Sequence, residues 1–424
     1  MKTIQYMGSK GNLLKFIEKS IDDFLCKMND NKCKVFFDAF CGSGRVSYHF
    51  KDKYKIYSND KQFFSKIITD AYLCNTYDSE FYQPFIDRLN SINIDDYNKW
   101  IEENKIDGWF VNNYSTEYNN GISIGKDGNP KIWLTSNAKK IEMVRYTIEN
   151  LFQSNQINYI QYCVLLLSLI LSINKISNVI GHQNGYLKKW CNNALKVFVM
   201  ENPKLDSHQL FNHVNLVGDI YDNIKDVRCD IAYFDPPYGT NNKNLVVATR
   251  YSSFYHLWNT LIVNDRPILF GKAGKPISTK GYTEPLEKNI KKYVIPKFIR
   301  LIEEVNAKYV LFSYSNKSLL TVYDFQKIYE LAGCDMNTFR LYISKHKSNN
   351  QDKLARKEGR YIERNNDKDV LIEYLFIAQK KDNHQRITKE NEKCDVENIK
   401  EVNDWLEVSP DDYSLPDKDW IINK

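Results

Sequence analysis

The stretch "KVFFDAFCGSGRVSYHF" (34–50) decides the fold. Its apolar first half reads as a buried strand. "CGSG" (41–44) follows at once as a tight turn, and "RVSYHF" opens a helix. Next comes "KIYSND" (55–60), a second strand with an acid at its tip, and then the helical "KQFFSKIITDAYLC" (61–74). This order of strand, glycine turn, helix and strand begins a doubly wound α/β sheet. Upstream, Leu13, Leu14, Phe16, Ile17, Ile21 and Phe24 recur at helical spacing within 11–29.

The rhythm stops after residue 75. Between 76 and 212 the sequence offers two helices, "AKKIEMVRYTIENLF" and "INYIQYCVLLLSLILSINKI", and two turn-rich polar stretches, 110–135 and 178–190. It resumes with "HVNLVGDI" (213–220), "CDIAYFDPPY" (229–238) and "KYVLFSYSN" (308–316). "FRLYISKH" and "DVLIEYLFIAQK" read as a closing antiparallel pair, with a basic loop between them (345–364). The expected organisation is a core of 1–75 and 213–380, a mainly helical insert of 76–212 and a charged tail of 381–424.

Bulk properties narrow the class. The 424 residues carry a net charge of +6, which permits an anionic partner without demanding one. Nine cysteines show no C-x-x-C pair and no Cys/His metal spacing, which reads as reduced thiols with no metal site. The start, "MKTIQYMGSK", lacks an apolar signal region, and the greasiest run, Tyr162–Ile173, is too short to span a bilayer. A cytoplasmic protein without membrane attachment is expected.

Gly42, Ser43 and Gly44 sit between a strand and a helix, where glycine lets a ligand approach the backbone. A short glycine turn is often only a connection. Asp60, at the tip of the next strand, is placed to accept hydrogen bonds from ribose hydroxyls. Asp219 ends a third strand-like run and either meets an adenine amino group or caps a turn. The third glycine of the dinucleotide fingerprint is missing, which disfavours a pyrophosphate. If the cradle holds an adenosyl ligand without one, S-adenosylmethionine fits.

In "YFDPPYGTNN" (233–242) two prolines end an apolar strand, since neither can donate to a ladder. Asp235 and Tyr238 then lie where the chain turns outward. The Asp235 carboxylate and the Pro236 carbonyl can take the two hydrogens of an exocyclic amino group. That frees the nitrogen lone pair for a sulfonium methyl. Tyr238 offers a face on which a flipped base can stack.

Taken in order, "YMGSKGNLLKFI", "FDAFCGSG", "YSND" and "DPPY" resemble the motifs of the Dam-like DNA adenine-N6 methyltransferases, in the arrangement with the target-recognition insert before the catalytic tetrapeptide. "RYSSFYHLWNTL" (250–261) resembles the aromatic segment after that tetrapeptide in some restriction–modification members. The resemblance implies a Rossmann-like sheet that binds S-adenosylmethionine, and double-stranded DNA as substrate. A cognate restriction endonuclease is an implied partner. Tyr6, Lys10, Asp38, Phe40, Gly42, Gly44, Asp60 and Asp219 would hold the cofactor. Asp235, Pro236, Pro237 and Tyr238 would bind and activate the base. Arg45, in "CGSGRVS", departs from the small-residue loop of many relatives. For DNA contact the candidates are Tyr186, Lys188 and Lys189 in the insert and Lys353, Arg356 and Arg360 in the basic loop.

Rival readings are cytosine-N4 or RNA amino-methylation, a silent nucleic-acid-binding subunit with the same fold, and a dinucleotide-dependent oxidoreductase.

Overall fold

The computed structural model describes residues 1–237, 239, 250–347, 354–357, 360–363 and 370–381. It is a mixed α/β structure built on a large sheet in which parallel pairings outnumber antiparallel ones. The chain divides into two compact units that alternate along the sequence.

One unit takes Met1–Gly11, Phe40–Ile220 and Arg250–Tyr282. Its strands β2 (Lys55–Asp60) and β3 (Val214–Val217) run parallel, with Asp60 opposite Val217. A helix Arg45–Phe50 and a longer one, Phe63–Leu73, flank β2 in sequence. The apolar run of the insert is the helix Tyr159–Lys175, buried along its length from Tyr162 to Ile173. A capping box at Asn158 and Gln161 starts it, each side chain taking the other's backbone N–H. It packs with Thr135–Gln153 and Phe63–Leu73 around one apolar core that also holds Tyr255, Leu257, Trp258 and Leu261. The segment after the tetrapeptide motif, Arg250–Tyr282, thus packs with the insert.

The other unit takes Asn12–Ala39 and the stretches beginning at Tyr221 and Thr283. Here β1 (Val35–Asp38), β4 (Arg228–Phe234) and β5 (Asn306–Ser315) are parallel, with β4 in the middle. Strand β6 (Cys334–Lys347) and β9 (Val370–Lys380) are the expected closing antiparallel pair, and β9 pairs antiparallel with β5. The basic stretch 345–364 is not loop throughout. It contains the antiparallel pair β7 (Leu354–Lys357) and β8 (Arg360–Glu363). Helices Lys291–Glu304 and Val322–Leu331 also belong here. The tail beyond residue 381 lies outside the described residues.

No helix among the described residues is long and apolar enough to cross a membrane.

Candidate active site

The glycine loop is tied down by the acid that follows it. Asp60 Oδ2 accepts the Gly42 N–H at 2.9 Å, and Oδ1 accepts the Gln62 N–H at 2.8 Å. The Cys41 N–H donates to the Asn59 carbonyl at 2.9 Å, and the Gly44 N–H to the Cys41 carbonyl at 2.7 Å. Gly42 and Gly44 sit at φ +50° and +72°, where a side chain is strained. A Cβ on Gly42 would stand 2.7 Å from the Tyr6 ring, and one on Gly44 2.9 Å from Thr69 Cγ2. Both glycines are therefore required by space as well as by backbone.

Tyr6 stacks on Tyr255 with centroids 4.6 Å apart and has Tyr251 at 5.7 Å and Phe64 at 6.4 Å. The Met7 N–H donates to Tyr255 Oη at 2.6 Å. Burial, and secondly the Asp60 carboxylate, hold the Tyr6 phenol well above the usual tyrosine range. Lys10 is buried, and its Nζ donates to the Gly8 carbonyl at 3.1 Å. Phe40 and Asp219 are half-buried. Asp219 Oδ2 lies 3.4 Å from Lys61 Nζ, itself 2.7 Å from Tyr282 Oη. Tyr6, Lys10, Phe40, Gly42, Gly44, Asp60 and Asp219 all belong to this unit, and the acids Asp60 and Asp219 stand at the carboxyl ends of parallel strands.

The second unit repeats that placement. Asp38 closes β1 opposite Tyr233 and is buried. Strand β4 ends at Phe234, whose ring stacks on Phe312 at 4.9 Å. Asp235 is half-buried and Pro236 buried. The chain cannot continue the ladder through Pro236–Pro237 and turns outward. Gly239 is buried, and a Cβ there would overlap the Asn289 side chain. Tyr238 lies outside the described residues.

Tyr255, Gly239 and Asn289 went unread as site residues. The aromatic segment 250–261 was a signal for Tyr255. Nothing local marks Asn289.

The two turn-rich parts of the insert prove to be one module. Ser123 N–H donates to the Lys188 carbonyl at 3.0 Å, and Trp190 N–H to the Gly121 carbonyl at 2.9 Å. Ile122 bridges Lys189. Lys188 and Lys189 are exposed, whereas the Tyr186 hydroxyl is buried and has no hydrogen-bond partner among the described residues. Gln183 is buried too: its side-chain oxygen accepts the Leu257 N–H at 3.0 Å, so it supports the turn. Arg356 and Arg360 lie on β7 and β8, and Lys353 is outside the described residues.

A family model for the D12 class N6 adenine-specific DNA methyltransferases matches residues 6–291. The chain is 32% identical to modification methylase LlaI of Lactococcus lactis subsp. lactis, over 75% of this chain and 47% of that protein. It is 28% identical to the type II methyltransferase M.FokI of Planomicrobium okeanokoites, over 93% of this chain and 55% of that one. With M.NlaIII of Neisseria lactamica the identity is 26%, over 89% of this chain and 99% of the relative. The chain belongs to the D12 class N6 adenine-specific DNA methyltransferase family. It spans about half the length of LlaI, M.FokI and a third such relative, StsI of Streptococcus sanguinis.

Proposed function

We propose that this chain transfers a methyl group from S-adenosylmethionine to the N6 amino group of a flipped adenine at one short motif in double-stranded DNA. We place it in a restriction–modification system with a cognate endonuclease. The observation that carries the reading is Asp235-Pro236-Pro237 at the carboxyl end of β4, a strand with parallel neighbours on both sides. Such strand ends are where open α/β sheets bind ligands.

The glycine cradle fits an adenosyl group. Two glycines stand where a Cβ would collide. Asp60 accepts the Gly42 and Gln62 N–H groups, which fixes its carboxylate beside the cradle as an acceptor for ribose hydroxyls. The sheet is read as Rossmann-like, with Tyr6, Lys10, Asp38, Phe40 and Asp219 completing the cofactor site. When bound, S-adenosylmethionine supplies an electrophilic sulfonium methyl. Asp235 and the Pro236 carbonyl accept the two amino hydrogens, which localises the nitrogen lone pair and sets its direction. As the nitrogen–carbon bond formed, the carbon–sulfur bond would break with its electron pair left on sulfur, and the nitrogen would release one of those protons by way of Asp235 to solvent. Pro236 and Pro237 hold the acceptors in place before the base arrives, which favours rate over simple binding. Tyr238 gives the base a stacking face. Exposed Lys188 and Lys189, together with Lys353, Arg356 and Arg360, contact phosphates, and the module of 110–135 with 178–190 reads the motif.

With labelled S-adenosylmethionine and mixed-sequence duplex DNA, label should appear on adenine N6 at one motif. Asp235→Ala should abolish turnover while calorimetric cofactor affinity stays at the wild-type value. Label on cytosine, or on RNA alone, sinks the reading.

A further inference from the structure

One hairpin outside the 76–212 stretch packs against the module inside it. Leu269–Phe270 pairs antiparallel with Lys275–Pro276. Tyr114 Oη donates to the Gly274 carbonyl at 2.7 Å, and Lys275 Nζ donates to Asn184 Oδ1 at 3.0 Å. At the tip, Gly271 and Gly274 adopt φ +72° and +57°, and the Gly274 N–H closes the turn on the Gly271 carbonyl at 3.1 Å. A Cβ on Gly274 would press on the Tyr114 ring at 3.0 Å, while one on Gly271 would meet nothing. The turn is therefore held from one side, with Ala273 buried and Lys272 exposed.

Charge points the same way. Lys275 is half-buried, its Nζ 5.4 Å above the Phe270 ring centre. Burial, and then the positive charge of Arg250, lower its affinity for a proton. No carboxylate forms an ion pair with Arg250, Lys272 or Lys275 among the described residues. Lys272 and Lys275 share one short hairpin, and an anion beside it lowers the repulsion between two such cations. Backbone phosphates are the anions a DNA-modifying protein meets.

We propose that Lys272 and Lys275 form a phosphate-contact cluster that carries the DNA footprint from the insert onto the 269–276 hairpin. Tyr114 and Asn184 are its positioning residues. The cluster grips every sequence alike, because it faces charge rather than base edges. This inference rests on the DNA-methylation reading above.

The test uses the full chain and fluorescence anisotropy of labelled duplexes, with and without the methylated motif, over a range of salt. Lys272→Gln should weaken both duplexes by the same factor and lower the slope of log K against log salt by about 1. Lys272→Gln with Lys275→Gln should lower it by about 2. The pair Lys272→Arg with Lys275→Arg should restore wild-type values. Lys272 is an exposed tip residue, so its single variant reads out charge with the fold intact. Unchanged slopes in both Gln variants, or a loss confined to the motif duplex, overturn the cluster while wild-type methylation leaves the function standing. A wild-type chain that neither binds nor methylates duplex DNA overturns both.

Discussion

At the scale of single residues, the cradle depends on Gly42 more than on any ion pair. A methyl group there meets the Tyr6 ring and forces a left-handed alanine, at a cost of about 1–2 kcal/mol before any repacking. Gly42→Ala should therefore weaken cofactor binding about tenfold or more by calorimetry, with the sheet's circular dichroism retained. Wild-type affinity in that variant would show the loop is not the cradle. Asp60 explains why part of the site was legible and part was not. Its place after a strand could be read directly from "YSND". Its grip on Gln62 spans two residues, and its grip on Gly42 spans 18, one turn–helix–strand passage of the chain. Tyr255 is different. Its ring reaches Tyr6 from 249 positions away, and no local pattern records a contact closed by the whole fold.

Elements tell a similar story through their ends. Arg145 sits in the sequence "EMVRYT", where an amphipathic helix suggests a solvated cation. It is instead buried. Its Nε donates to the Leu261 carbonyl at 2.8 Å and its Nη2 to the Ile262 carbonyl at 2.7 Å. Those carbonyls end the helix His256–Val263, so the guanidinium caps a helix terminus that would otherwise lack donors. Nη1 pairs with Glu149 at 2.8 Å. Arg145→Ala should cost about 3–5 kcal/mol in urea unfolding, the price of leaving those partners buried and unmet. Arg145→Lys should recover little, because a single ammonium cannot span both carbonyls and the carboxylate. A loss under 1 kcal/mol would mean water replaces the cap. Strand and helix identities were read well where periodicity was strong, as in the apolar insert helix. The pair β7–β8 was missed because its residues are charged, and strand propensity is carried mainly by β-branched and aromatic side chains.

The whole molecule should be sensitive to acid. Burial pushes the His256 imidazole down to about 3 and the His213 imidazole down to about 4. His256 Nε2–H donates to the Gln183 carbonyl, and His213 Nδ1 accepts the Ile56 N–H, so both serve as neutral rings. The unfolded chain takes up these protons below about pH 6.5 and the folded one does not. Stability is then complete above that pH and falls as pH drops from about 6.5 toward 4, by roughly 2 kcal/mol per histidine at pH 5. The melting temperature should decline between pH 7 and 5, and the decline should flatten in His213→Asn and His256→Asn; parallel curves would refute it.

The alternation of the two units has a bearing on how the chain is made. Six segments belong to them in turn, so the polypeptide passes from one to the other five times. The last piece of the first unit, Arg250–Tyr282, leaves the ribosome only after the second unit has received two of its own pieces. Neither unit can complete its core from its early pieces alone, because the first waits for Arg250–Tyr282 and the second for the stretch that begins at Thr283. Vectorial folding, in which an amino-terminal half matures first, is closed to this topology. Each core closes late, across long sequence separations, and that is a slow step during which an apolar helix such as 159–175 calls for chaperone protection. A gene cut after Ile220 would yield no working half.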